Sequence, residues 1–200
     1  MTLTNPVTLG FDPGLLAAAF AVALVVVIVG FLVVTTYNDV VGLRLRIDKA
    51  WSNIDVVLRQ RHDQLPALVD AVRGALAFER QVLDEVTRRR AGYVPDAPIP
   101  AQASTSEATS AAVRSLFAVV EHYPDLKSDE NVLALQGSIQ RLEGMLAARR
   151  ELYNDQVYRY NTRIAQLPGV LLAGVLGWRP REFFAAEPGA REAPSTVGLG

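Results

Sequence analysis

LLAAAFAVALVVVIVGFLVV, residues 15–34, contains only Leu, Val, Ile, Phe, Ala and Gly, and no charged residue lies between Asp12 and Asp39. About 20 helical residues rising roughly 1.5 Å each cover the ~30 Å hydrocarbon core of a bilayer. Fourteen of the twenty are Leu, Ile, Val or Phe, and at roughly −0.3 to −0.6 kcal/mol apiece near the helix centre they favour insertion by on the order of 4–8 kcal/mol. A cleaved secretory signal would want basic residues ahead of a shorter apolar core, whereas no Lys or Arg precedes this run and it continues past Ala17-Ala18-Ala19 to Val34. A buried core helix need not be so long or so uniform. The reading is a permanent transmembrane helix over residues 15–36 behind a short flank, residues 1–14.

The flanks suggest an orientation. Arg44, Arg46 and Lys49 follow the span and nothing basic precedes it, so the positive-inside bias puts the N-terminus outside and the rest in the cytoplasm of a bacterial inner membrane. The same three residues also fit the solvated face of an amphipathic helix. The absence of Cys fits a reducing compartment. A net charge of −1 gives no electrostatic reason to expect a nucleic acid partner. Lys occurs only at 49 and 127, so the basic charge is nearly all Arg, which biased codon usage explains at least as well as phosphate recognition.

Beyond the span, alternating β-branched runs are missing and helical punctuation recurs. Val40, Leu43, Ile47, Ala50, Ile54 and Val57 repeat at three and four, one apolar stripe on a helix that leaves the membrane and runs to about Arg61. The polar run Arg59 to Gln64, then Pro66 with Asp63 as a cap, predicts a break there, with a single kinked helix as the alternative. A second helix carries Leu68, Val72, Ala75, Val82 and Val86 and stops on Arg88-Arg89-Arg90, with Gly92 as a left-handed terminator. Three prolines make Tyr93 to Ala103 a loop. Ser104 and Glu107 have capping-box spacing for a third helix, with Ala112, Leu116 and Val119 on one side, that stops before Pro124. The fourth starts near Ser128, carries Leu135, Ile139, Leu142, Leu146, Tyr153, Tyr160 and Ile164, and ends at Pro168-Gly169. Helices apolar on one side bury that side together. The expected fold is all-α: an N-terminal transmembrane helix followed by an antiparallel four-helix bundle over residues 37–168.

Catalytic constellations are hard to find. The chain has no Cys, Gly-rich phosphate loop or HExxH, and His62 and His122 lack the Glu-x-x-His pairing of di-iron bundles. Asp55, Asp63, Asp70, Glu79, Asp84 and Glu85 read as solvated faces paired along the helix, for example with Arg59 and Arg88. No catalytic residue, cofactor site, metal site or small-molecule substrate is assigned. Asn154 and Asn161 are seven apart, beside Tyr153 and Tyr160, which repeat likewise. Amides at that spacing either fix register through hydrogen bonds, as polar core positions do in coiled coils, or form a polar contact surface. Trp51 reads as core filler.

Three blocks together resemble the LemA family: AWSNIDVVLRQRHDQLPALVDAVRGALAFE (50–79), EHYPDLKSDENVLALQ (121–136) and ARRELYNDQVYRYN (148–161). They follow, in the right order, a membrane helix that ends in Tyr37-Asn38. The resemblance covers roughly residues 15–187 and implies a membrane-anchored antiparallel helical bundle with no established catalytic activity. The chain departs from the family at GALAFE, where a Tyr and a His more commonly precede the Glu, and in its Pro-rich loop from Tyr93 to Ala103. If that His served a site, this chain lacks it.

The apolar segment 169–184, GVLLAGVLGWRPREFF, either closes the base of the bundle or docks Trp178, Phe183 and Phe184 at the headgroups with Arg179 and Arg181 on anionic lipid. Residues 185–200, rich in Pro, Gly and Ala, are expected to be disordered. The function expected is a non-catalytic scaffold or interaction module whose partners are the lipid bilayer and other membrane proteins or copies of itself. The rivals are membrane shaping by self-assembly and an enzyme or enzyme accessory.

Overall fold

The computed structural model describes residues 13–76 and 79–184, so the flank over 1–12 and the disorder expected over 185–200 lie outside the described residues. Every element among the described residues is helical: α1 Pro13–Arg73, α2 Arg80–Ala91, α3 Ile99–Val120, α4 Pro124–Lys127, α5 Glu130–Ala165 and α6 Gly169–Leu176.

α1 is 61 residues long, about 90 Å at the helical rise, and is long and apolar enough to cross a membrane. Its first third packs against nothing: Phe20, Val27 and Phe31 are all exposed. The first buried side chains are Thr36 and Val40. Helicity does not lapse between them. Thr35 donates its hydroxyl back to the carbonyls of Phe31 (2.9 Å) and Leu32 (3.2 Å), which satisfies it inside the helix. From Val40 the stripe is covered: Ile47, Ala50, Ile54, Val57, Leu58, Leu65, Leu68 and Val72 are each at most 4% exposed.

The break expected at Arg61–Pro66 does not occur. Proline removes the N–H that would bond the carbonyl of His62, but Arg90 Nε donates to that carbonyl at 3.0 Å. With the orphaned acceptor satisfied and Leu65, Leu68 and Val69 buried on either side, the helix continues to Arg73. α2 accordingly begins later than expected, at Arg80. Gly92, expected in the left-handed region, sits at φ −75° and ψ −5°. α3 starts at Ile99 rather than Ser104. Pro98 sits at the N-cap and Pro100 in the first turn, where a missing N–H costs no helical bond, and Gln102 Nε2 donates to the carbonyls of Pro95 (2.7 Å) and Ala97 (2.9 Å). That folds the Pro-rich loop under the helix start and leaves Ser104 and Glu107 exposed within α3. α5 begins as expected, with the Asp129 carboxylate accepting from the N–H groups of Asn131 (2.9 Å) and Val132 (3.0 Å).

α1 and α5 lie side by side in opposite directions: Arg163 Nη2 meets Asp39 Oδ2 (3.1 Å) at one end, and Ser138 donates to Gln64 Oε1 (2.8 Å) toward the other. The end of α5 therefore reaches the level where the bare part of α1 stops. α2 and α3 pair with each other and cover the far half of α1. The core is correspondingly in two parts. Val40 to Leu58 pack with Leu142 to Ile164 and Phe184. Leu65 to Leu76 pack with Leu83, Val86, Val113, Leu116 and Ile139.

Candidate functional site

The repeated Tyr-Asn pair of α5 grips the chain's own C-terminal segment. After α6 the chain reverses at Gly177, whose φ of +67° lies in the left-handed region that glycine adopts without strain. Residues 179–184 then run back along α5, opposite to its direction. Asn161 holds both backbone groups of Arg181, Nδ2 donating to the carbonyl (2.9 Å) and Oδ1 accepting from the N–H (2.8 Å). Asn154 repeats the arrangement on Phe184, at 3.0 and 2.9 Å. Tyr160 donates to the carbonyl of Arg179 (3.1 Å) and Tyr153 to that of Glu182 (3.0 Å). A carboxamide carries a donor and an acceptor side by side, so each Asn does for one residue what a neighbouring β-strand would do. Two turns of helix separate the two clamps.

The clamp seats Phe184 at 1% exposure. Its ring lies 5.9 Å from that of Trp51, which meets Tyr153 edge-on at 5.8 Å. Phe184 is therefore core, so of the two readings of the segment headgroup docking is corrected for this residue: the amides of α5 pull it onto the bundle. Phe183 beside it stays exposed, and Trp178 packs half-buried on Tyr37 at 6.1 Å. Burial pushes the Tyr153 phenol up to about 12, with Glu182 and Asp48 adding to the rise and Arg181 opposing it.

A second polar feature separates the two halves of the core. Arg61 is 4% exposed. Its Nη1 donates to Glu143 Oε1 and Ser110 Oγ, both at 2.8 Å, and its Nη2 donates to the Ser106 hydroxyl (3.0 Å) and carbonyl (3.3 Å). Ser110 in turn donates to Glu143 Oε2 at 2.6 Å. One guanidinium thus ties α1, α3 and α5 together with its buried donors satisfied, the condition under which a buried charge is tolerated. Sequence reasoning read Arg61 as part of a polar interruption. Its position, four after Val57 and four before Leu65, was the available signal.

Asp55, Asp70 and Glu85 pair with arginines along their own helices. Arg59 meets Asp55 at 2.8 Å, Arg73 meets Asp70 at 3.1 Å, and Glu85 meets Arg89 at 2.6 Å and Arg88 at 3.2 Å. The hydrogen bond from Arg89 holds the Glu85 carboxyl below its usual range. Asp55 also accepts from Tyr93 Oη at 3.0 Å, and burial with that bond raises the Tyr93 phenol. His62 and His122 have separate partners: His62 Nδ1 lies 3.2 Å from Asp63 Oδ1, and His122 Nδ1 lies 2.7 Å from the carbonyl of Ala118 one turn back. No group of three or more His, Cys, Asp or Glu among the described residues could hold a metal ion. The cavity beside Arg61 and His62, about 10 Å³, has room for a single water.

Residues 50–197 match the LemA family. Two magnetosome proteins of Paramagnetospirillum magneticum, MamQ 1 and MamQ 2, are each 35% identical to this chain over 77 residues. Magnetosome protein MamQ of Magnetospirillum gryphiswaldense is 31% identical over 77 residues. The matched stretch is 38% of this chain and 28% of each relative, so the chain spans well under half the length of these relatives. The family match, the helical architecture and the apolar first helix agree on a membrane-associated helical protein. With about three quarters of its length matched, the chain belongs to the LemA family.

Proposed function

We propose that this chain is a single-pass membrane protein whose α1 carries an antiparallel four-helix bundle, built from α1, α2, α3 and α5, that acts as a non-catalytic scaffold for other membrane proteins. The observation that carries this reading is the continuity of α1: one helix runs from Pro13 to Arg73 with no linker between the bare apolar part and the packed part. A bundle on such a stalk presents the same faces at the same height above the bilayer in every copy, which is what a scaffold requires and a flexible tether does not supply. The basic residues Arg44, Arg46 and Lys49 after the span favour a cytoplasmic bundle with the N-terminus outside. An enzyme would instead need a pocket with converging polar groups and perturbed acids.

Photocrosslinking in intact membranes from exposed positions on α1 (Leu45, Val56) and α5 (Leu152) tests the scaffold. The expected result is one and the same membrane protein captured from both helices. Recovery of only lipid and self-contacts refutes it.

Self-assembly that shapes the membrane is the second reading, and a specific surface favours it. A groove of about 250 Å³, lined by α1 and α5 alone, combines Arg46, Lys49 and Asn53 with Leu152 and Gln156. The side-chain oxygen of Gln156 is buried with no donor, a group that a partner could satisfy. Likeness to proteins named for the magnetosome is compatible with such an assembly role. Detergent-solubilised protein that stays monomeric at high concentration would count against it.

A further inference from the structure

From the surface of α6 we infer that this helix is a second membrane contact, lying in the headgroup and upper acyl region of the leaflet from which the bundle projects. The inference rests on the reading of residues 15–34 as a membrane span. α6 is apolar on both sides. Gly169, Leu172 and Ala173 turn toward the bundle and are buried or half-buried. Leu171 and Val175 on the opposite side are 66% and 83% exposed, and Leu167 just ahead of the helix is 72% exposed. A short helix with one apolar face on the protein has its other apolar face either in lipid or wasted in water.

The height of α6 identifies its occupant. Arg163, at the end of α5, pairs with Asp39 (3.1 Å) and lies 3.5 Å from Thr36 Oγ1. Trp178, at the far end of the excursion, packs at a tilt on Tyr37. Both ends of the stretch therefore return to residues 36–39 of α1, directly beyond the uncharged apolar run that ends at Val34. α6 itself packs against α1.

Charge agrees with that position. No charged residue occurs from Ile164 to Trp178, whereas Arg163, Arg179 and Arg181 flank the stretch. Arginines at the edge of an apolar segment, with Trp and Tyr at the same level, match the composition of a membrane interface. The headgroup role that one reading of the segment gave to Phe184 thus passes to Leu167, Leu171 and Val175.

The 200-residue chain has no Cys, so nitroxide labels can be placed singly in it. Leu171→Cys and Val175→Cys would be compared with Val25→Cys inside the span and Leu133→Cys near the start of α5. All would be reconstituted in phosphatidylcholine–phosphatidylglycerol vesicles, with helical circular dichroism as the check on folding. The expected result is oxygen accessibility above nickel-chelate accessibility at 171 and 175, at a depth between that of 25 and the aqueous signal of 133. Aqueous signals at 171 and 175 with a deep signal at 25 would overturn the inference and leave the anchor standing. Labels closed to both reagents and broadened by one another would place a second copy on this face and also overturn it. An aqueous signal at 25 would remove the span, and the inference with it.

Discussion

Removing Glu143 alone from the Arg61–Glu143 pair should cost far more than removing both partners. Glu143→Leu leaves the Arg61 guanidinium, with its side chain 5% exposed, facing only Ser106 and Ser110. An uncompensated charge in that position costs about 3–5 kcal/mol. Arg61→Met keeps much of the aliphatic stem and leaves Glu143, which is 28% exposed and still accepts from Ser110, so water compensates part of the loss and about 1–2 kcal/mol is expected. In Arg61→Met/Glu143→Leu both charges are gone, and Ser110 keeps its bond to the Ser106 carbonyl at 3.1 Å. The double variant should lie within ~1 kcal/mol of the native protein, since well-packed apolar groups commonly replace a buried ion pair without loss.

The single variants together cost about 4–7 kcal/mol, so with a near-native double variant the coupling energy in the double-mutant cycle is on the order of 3–8 kcal/mol. Equilibrium unfolding of the detergent-solubilised protein, followed by helical circular dichroism, measures it. For a domain of this size each kcal/mol corresponds to roughly 2–4 °C in Tm. An additive double variant would refute the assignment of the pair as the link among α1, α3 and α5. A Glu143→Leu variant less harmful than Arg61→Met would refute the argument from unequal burial.

Replacing Asn154 and Asn161 together by Ala removes four hydrogen bonds to the backbone of residues 181–184, and amide exchange at Arg181 and Phe184 should accelerate by at least tenfold; unchanged protection would show that the Phe184 side chain alone holds the segment. Arg90→Ala should cost about 1–2 kcal/mol through the orphaned His62 carbonyl, and little once Pro66→Ala has restored an N–H for it, which the same unfolding assay resolves. Gly169→Ala should destabilise the turn into α6 by about 1–3 kcal/mol, because a Cβ there runs into the Arg163 carbonyl oxygen. Tyr153, with its phenol at about 12 against an ordinary ~10, keeps its proton in the folded state where the unfolded chain has lost it. Its contribution is therefore complete below pH 10 and declines as pH rises from 10 to 12. A tyrosinate absorbance titration of Tyr153→Phe against the native protein should show the highest step missing.

Periodicity made the main elements readable. The stripes from Val40 to Val57 and from Ile139 to Ile164 are the buried faces of α1 and α5, because a three-four repeat of apolar residues is itself the surface that has to be covered. Local rules failed where a distant group settled the outcome. Pro66 breaks a helix unless something supplies a donor to the orphaned His62 carbonyl, and Arg90, 28 residues from His62 in sequence, does so. Ser104 and Glu107 satisfy a capping pattern, but the prolines and Gln102 start the helix five residues earlier. The amides of Asn154 and Asn161 stood out by their spacing. Their partner did not, since they hold backbone, and backbone has no signature in sequence.

A helix without a joint is a lever. Membrane spans commonly lean about 20° from the bilayer normal, by an amount that follows hydrocarbon thickness, and from Thr36 to Arg73 α1 extends about 55 Å beyond the span. A 20° lean of a free-standing α1 would carry the tip near Arg73 sideways by about 19 Å. Small changes in bilayer thickness would become displacements as large as a small protein's radius. A second foot on the membrane at α6 would brace that lever, holding the far end of the bundle to one position whatever the thickness beneath it.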